Sequence, residues 1–308
     1  IVGKQIILFA LSFVGYLTKD KKLIHLSLLL AFLVLSFFYG LREIPYRNPE
    51  GYLTDTYTYV YIHFPQLTSL SALSSGVLSS KGDFIFYFIG YVVRKITSDP
   101  RIYIFSLSAI SIALLLWGYR KILGDRLEYL LPLSIFMLSV GSTLVAAYGN
   151  LLRQALALSF IVLSIGYFME RKKWHGYVLT ALAFFSHKSA VIFIFILPLA
   201  FLTKIRLRDV LFLAILSTPL IYFDLFSIVT NLGIPWISER FHFYASSYTR
   251  SFIYKLIVSV ILIPLFYLIV KKEEETPLSK LVFIYISIVI CAIATTHYQV
   301  ISTRILYY

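Results

Sequence analysis

NLLRQALALSFIVLSIGYFMERKK, residues 150–173, is the stretch whose reading decides the fold. Residues 151–169 form an apolar run close to the ~20 residues that cross a bilayer as a helix. Arg171, Lys172 and Lys173 follow it, and short loops rich in Lys and Arg stay on the cytoplasmic side. At the other end Asn150, Arg153 and Gln154 stand at positions i, i+3 and i+4, which share one helical face. The stretch therefore reads as an outside-to-inside membrane helix whose first turn is polar.

The rest of the chain repeats this pattern. Of its 308 residues 59% are hydrophobic and 14% charged, and the mean hydropathy is +0.83. Further basic clusters occur at Lys19, Lys21 and Lys22, at Arg120, Lys121 and Arg126, at Lys204, Arg206 and Arg208, and at Lys271 and Lys272. Placing them all inside predicts spans at 5–18, 23–40, 101–119, 128–148, 151–169, 174–187, 188–202, 209–224, 251–270 and 278–296. The expected fold is an all-α polytopic membrane protein, with 1–308 as a single transmembrane domain of about ten helices and both ends outside. The external loops are 41–100 and 225–250. Residues 83–96 look apolar, but a crossing there would put the next basic loop outside. They read as a membrane-dipping helix, re-entrant or interfacial. Residues 174–202 read as two short helices meeting at His187 on the outer face, or as one long helix carrying His187 mid-membrane.

The net charge of +13 does not indicate nucleic acid, because the basic residues lie in short inter-helix loops with no aromatic-interleaved stripe. Cys291 is the one cysteine, so no disulfide forms within the chain. No small-residue cleavage site follows the first apolar run, so no cleavable signal peptide is expected.

With this topology the isolated polar residues fall at the outer face: Arg42, Asp55, Asn150, Arg153, Gln154, His187, Lys188, His297 and Arg304. Ionisable groups at membrane depth are costly and mark functional sites. A helix N-terminus is electropositive, so Arg153 there suits an anion, and its fork matches phosphate bidentately. The bland alternative is an arginine snorkelling to the headgroups. His187 is either a structural residue or a group that binds phosphate and moves a proton near neutral pH. Asp55, set among tyrosines, is a candidate general base, or else a cap, or a partner of Arg42. Tyr57 and Tyr59, with Tyr46, Tyr52 and Tyr61, offer ring faces and hydroxyls to a sugar, or form an interfacial aromatic belt. His297 and Arg304, two helical turns apart, share a face.

Arg42 before a Tyr-rich stretch with Asp55, Arg153-Gln154 opening a helix, His187-Lys188-Ser189-Ala190 and the terminal Arg304-Ile305 together resemble the EpsG family from about residue 40 onward. In that family a Gly-Thr-Asp-Tyr segment is usual near the first arginine, whereas this chain has Thr54-Asp55-Thr56-Tyr57. The resemblance implies a Wzy-type exopolysaccharide or O-antigen polymerase with a GT-C-like fold, in the bacterial cytoplasmic membrane and active on the outer face. It would join oligosaccharides carried on undecaprenyl diphosphate. Arg153 and Arg304 would bind the diphosphate, with Gln154, Lys188 and Arg42 positioning it. His187 would donate or relay a proton, and Asp55 would act as base. Membrane lipids, a flippase and a chain-length regulator are the implied partners. No cofactor or metal is expected, since the outer face carries no carboxylate cluster to hold a divalent cation. A flippase or transporter, a polysaccharide ligase and an acyltransferase are the rival readings.

Overall fold

The computed structural model describes residues 10, 13–14, 17–18, 21–44, 46, 54–75, 83–124, 151–202 and 277–294. Every regular element among them is helical. The predicted spans 128–148, 209–224 and 251–270, most of 5–18, and Asn150, His297 and Arg304 lie outside the described residues. The chain divides into two compact units, Ile1–Ile194 and Phe195–Tyr308.

Among the described residues, three helices of the first unit are long and apolar enough to cross a membrane. They are α1 (Lys21–Gly40), α4 (Pro100–Leu123) and α5 (Leu152–Met169). At 1.5 Å per residue their lengths are about 30, 36 and 27 Å, near the ~30 Å hydrocarbon thickness. Between α1 and α4 lie α2 (Leu70–Ser75) and α3 (Phe84–Ile96), preceded by an α-turn Asp55–Tyr57, a π-helical turn Thr58–His63 and a 3-10 turn Phe64–Gln66. The 13 residues of α3 reach only ~20 Å, too short for a crossing. One face of α3 exposes Phe84, Phe88, Val92 and Ile96 at four-residue spacing, while Phe86, Tyr87, Gly90 and Val93 are buried.

Close backbone contacts set the directions of the long helices. A Cβ on Gly118 would stand 2.7 Å from the Leu163 backbone nitrogen, so only glycine lets the C-terminal halves of α4 and α5 meet, and the two run parallel. A Cβ on Gly40, at the end of α1, would reach the Phe105 backbone at 2.7 Å, so α1 runs antiparallel to α4. After α5, Arg171 adopts a left-handed conformation (φ 62), its amide bonds to the Phe168 carbonyl, and α6 (Lys173–Ser186) returns antiparallel. Ser164 Oγ on α5 donates to the Gly176 carbonyl at 2.8 Å and lies 2.8 Å from Thr180 Oγ1 on α6. Such small-residue hydrogen-bonded contacts hold helices together where burial from water gives no drive.

These directions sort the charges by end. Lys21, Lys22, Arg120, Lys121, Arg171, Lys172 and Lys173 sit at one end, where Glu170 pairs with Lys121 at 2.7 Å and with Lys172 at 3.1 Å. The C-terminus of α1, the N-termini of α4 and α5 and the C-terminus of α6 gather at the other end.

The helix predicted over 174–187 ends at Ser186, and His187 takes an extended conformation (φ −160, ψ 125). A 3-10 turn, Lys188–Ala190, follows, then α7 (Val191–Leu202). The continuous-helix reading of 174–200 is thereby corrected: the i→i−4 ladder stops at the His187 amide, which bonds to the Ala183 carbonyl at 2.9 Å. In the second unit α8 (Pro277–Ala294) is described, and Lys280 Nζ lies 5.2 Å from the Phe201 ring centroid.

Candidate functional site

The start of α5 is the centre of the site. Leu151 precedes it and supplies no side-chain cap. Arg153, one residue into the helix, turns its guanidinium onto Asp83, and Nη1 donates to Oδ2. Asp83 immediately precedes α3, and only 2% of its side chain is exposed. Its other oxygen, Oδ1, lies 3.6 Å from His187 Nδ1, a tenth of an ångström beyond hydrogen-bond range. A buried carboxylate thus stands between an arginine fork and an imidazole from two other helices.

Aromatic residues close the site from the side of residues 54–66. The guanidinium of Arg153 sits over the Tyr59 ring, 4.6 Å from its centroid, and Tyr59 is 3% exposed. The Asp55 carboxylate acts electrostatically on the Tyr59 hydroxyl. Burial foremost, with Asp55 and Tyr87 adding and Arg153 opposing, raises Tyr59 far above the ordinary phenol range, so it remains a donor. Tyr87, on α3, has its hydroxyl 3.2 Å from His63 Nδ1, and burial pushes it up to about 12. Tyr59 and His63 both lie in the π-helical turn, an irregularity frequent at functional sites. Arg42 donates to the Tyr39 carbonyl and lies 3.5 Å from Thr56 Oγ1, beside Asp55. Burial lowers Arg42 to about 10, with Tyr39 opposing, so it stays charged at neutral pH.

The structure therefore gathers Arg42, Asp55, Tyr59, Arg153 and His187 at one end. Gln154 is buried in the same first turn of α5. Lys188 follows His187 and is exposed. The cap of the 55–57 turn is Thr54, whose hydroxyl accepts from the Tyr57 amide, and Asp55 is the first helical residue. Tyr57 packs edge-to-face with Tyr46 and at a tilt against Tyr61, both centroids 4.7 Å away, and those two rings are exposed. Tyr59 differs in that its ring face is taken by Arg153.

Sequence reasoning missed Asp83. Hydropathy marks 83–96 as an apolar helix and leaves Asp83 at its edge. Its signal was position: an acid directly before a helix that cannot cross, on a face with few carboxylates.

Burial tends to raise the Asp83 pKa, yet the His187 contact and the Arg153 charge outweigh it and hold the carboxyl below the ordinary 3.8. A carboxylate depressed in the folded state adds stability above its unfolded pKa, and that stability is lost as pH falls through the folded value. Detergent-solubilised protein is expected to lose thermal stability from about pH 4 downward, and Asp83→Asn should flatten that acid limb. An equally steep limb in the variant would assign it to other carboxylates.

Apolar helices long enough to span a bilayer, with a buried ionic cluster at one end of them, define an integral membrane protein with a polar site at the helix ends. The chain belongs to the EpsG family, whose model matches residues 25–308. That membership makes it a membrane protein of polysaccharide biosynthesis. No curated protein and no solved structure matches the chain.

Proposed function

We propose that this protein is a GT-C-like polymerase that joins oligosaccharide repeat units carried on undecaprenyl diphosphate, at the outer face of the bacterial cytoplasmic membrane. The observation that carries the reading is the Arg153–Asp83–His187 cluster, buried at the end of the helices opposite the basic loops. If those loops are cytoplasmic, the cluster faces outward, where a flippase delivers lipid-linked sugars.

The reaction needs little beyond positioning and charge. The bond between the donor's anomeric carbon and the diphosphate oxygen breaks, and the diphosphate leaves with the electron pair. An acceptor hydroxyl bonds to that carbon and gives up its proton. Arg153 stabilises the charge on the diphosphate, the role that the family resemblance also gives to Arg304. Lys188, Gln154 and Arg42 position the substrate, and Asp55 and His187 are the groups able to take the proton. Tyr57, with Tyr46 and Tyr61, gives a stacking surface for sugar.

The test is polymer formation in a polymerase-null host that makes the native lipid-linked repeat unit. Wild type is expected to produce a glycan ladder, and His187→Ala at matched expression is expected to stop at one repeat. Substrate that reaches the outer face only when the protein is present would favour a flippase. Finished glycan moved to another acceptor would favour a ligase, and an acylated repeat an acyltransferase.

A further inference from the structure

We propose that Asp83 is the positioning residue of the site: one oxygen holds the Arg153 fork, while the other faces His187 Nδ1 and sets the imidazole tautomer in which Nε2 takes the proton of the acceptor hydroxyl. The inference rests on the polymerase reading above and replaces Asp55 with His187 as base.

A carboxylate can only accept hydrogen bonds, so the nitrogen facing it carries the proton. Oδ1 lies 3.6 Å from Nδ1, so a small approach closes a hydrogen bond, and a neutral His187 that makes this bond carries its hydrogen on Nδ1 and its lone pair on Nε2. The ring is also held from the backbone, since His187 closes α6 in an extended conformation and its carbonyl accepts from the Ala190 amide at 3.0 Å. Asp83 is committed as an anion by Arg153, which approaches its other oxygen. Asp55, in contrast, is electrostatically tied to Tyr59, whose ring supports Arg153. Its role becomes fixing that aromatic floor.

The step balances within the groups named. The acceptor oxygen bonds to the anomeric carbon as the bond from that carbon to the diphosphate oxygen breaks, the electron pair leaving with the diphosphate. The hydroxyl proton passes to His187 Nε2, and the resulting imidazolium is stabilised by Asp83 until the proton is released to water. Among the described residues Asp83 faces His187 and Arg153 pairs with Asp83, while Tyr59 lies under Arg153, Asp55 and Tyr87 act on Tyr59, and His63 lies beside Tyr87.

The test uses the full chain in proteoliposomes, with the repeat-unit lipid purified from the polymerase-null host. The wild-type rate is expected to fall on the acid side as the imidazole takes up a proton and can no longer act as base. In Asp83→Asn, Arg153 claims the single carbonyl oxygen and the amide NH2 turns toward Nδ1, which favours the wrong tautomer. The rate should drop about 100-fold or more, with KM little changed, and the residual acid limb should move to lower pH. Asp55→Asn should keep the wild-type midpoint. A full-rate Asp83→Asn, or an acid limb that disappears in Asp55→Asn, overturns the proposal.

A second measurement does not depend on turnover. Nitrogen-15 spectra of histidine-labelled protein, with His187 assigned by its loss in His187→Gln, should show the Nδ1–H tautomer in wild type. An Nε2–H tautomer there overturns the inference even if Asp83→Asn does not fold. If wild type makes no polymer, the polymerase reading and its proton step fall, and the spectrum still decides whether Asp83 sets the ring.

Discussion

Arg153→Met is expected to abolish polymer formation and to destabilise the protein by about 3–5 kcal/mol, the scale on which removing one partner of a buried ion pair acts. The loss comes from Asp83, which is left charged, almost fully buried and facing an apolar side chain. Arg153→Lys separates charge from shape. Lysine keeps the attraction to Asp83 but is a point charge, without the planar fork that can bond one oxygen and still present donors to a diphosphate. It should restore most of the thermal stability and little of the polymer. Wild-type ladders from Arg153→Lys would mean that Arg153 serves the fold and does not bind the diphosphate.

The double variant Asp83→Leu/Arg153→Met should be markedly more stable than either single variant while making no polymer. Each single replacement strands a charge in the interior, whereas the double replacement removes both and fills the space with apolar atoms. The two residues touch, so their effects cannot add, and a coupling of about 2 kcal/mol or more is expected in thermal unfolding of the four proteins. Additive losses would show that the pair is solvated enough to break cheaply. A double variant that polymerises would remove the cluster from the chemistry altogether.

The two variant sets bear on one question, whether the ionic cluster exists for stability or for reaction. An apolar replacement of similar volume would hold α3, α5 and α6 together at least as well as a buried ion pair does. The cluster's presence at the end of α5, beneath an irregular turn and against an uncapped helix start, is therefore the reason to read it as functional.

Much of this was legible in the chain. The helices at 21–40, 100–123 and 152–169 follow from apolar length, and their ends fall within a few residues of the basic clusters that bound them. Arg153 and His187 could be assigned to one end without any tertiary information, because they occupy opposite termini of two helices joined by a three-residue turn. Arg42 and Asp55 followed for the same reason, coming after a helix that runs the other way. Hydropathy period and charge are local properties, and they survive being read from sequence.

Asp83 could not be read that way. It lies 70 residues from Arg153 and 104 from His187 (187 − 83), and no local pattern connects them. Nor does sequence distinguish Tyr57, whose ring joins an aromatic cluster with exposed members, from Tyr59, buried beneath a guanidinium two residues later. By itself the sequence determined that 21–40, 100–123 and 152–169 are long apolar helices with basic clusters at one end of each, because solvent preference and charge act residue by residue. Only the tertiary structure decided which carboxylate is buried against Arg153 and His187, because burial and ion pairing depend on which distant segments the packing of α3, α5 and α6 brings within a few ångströms.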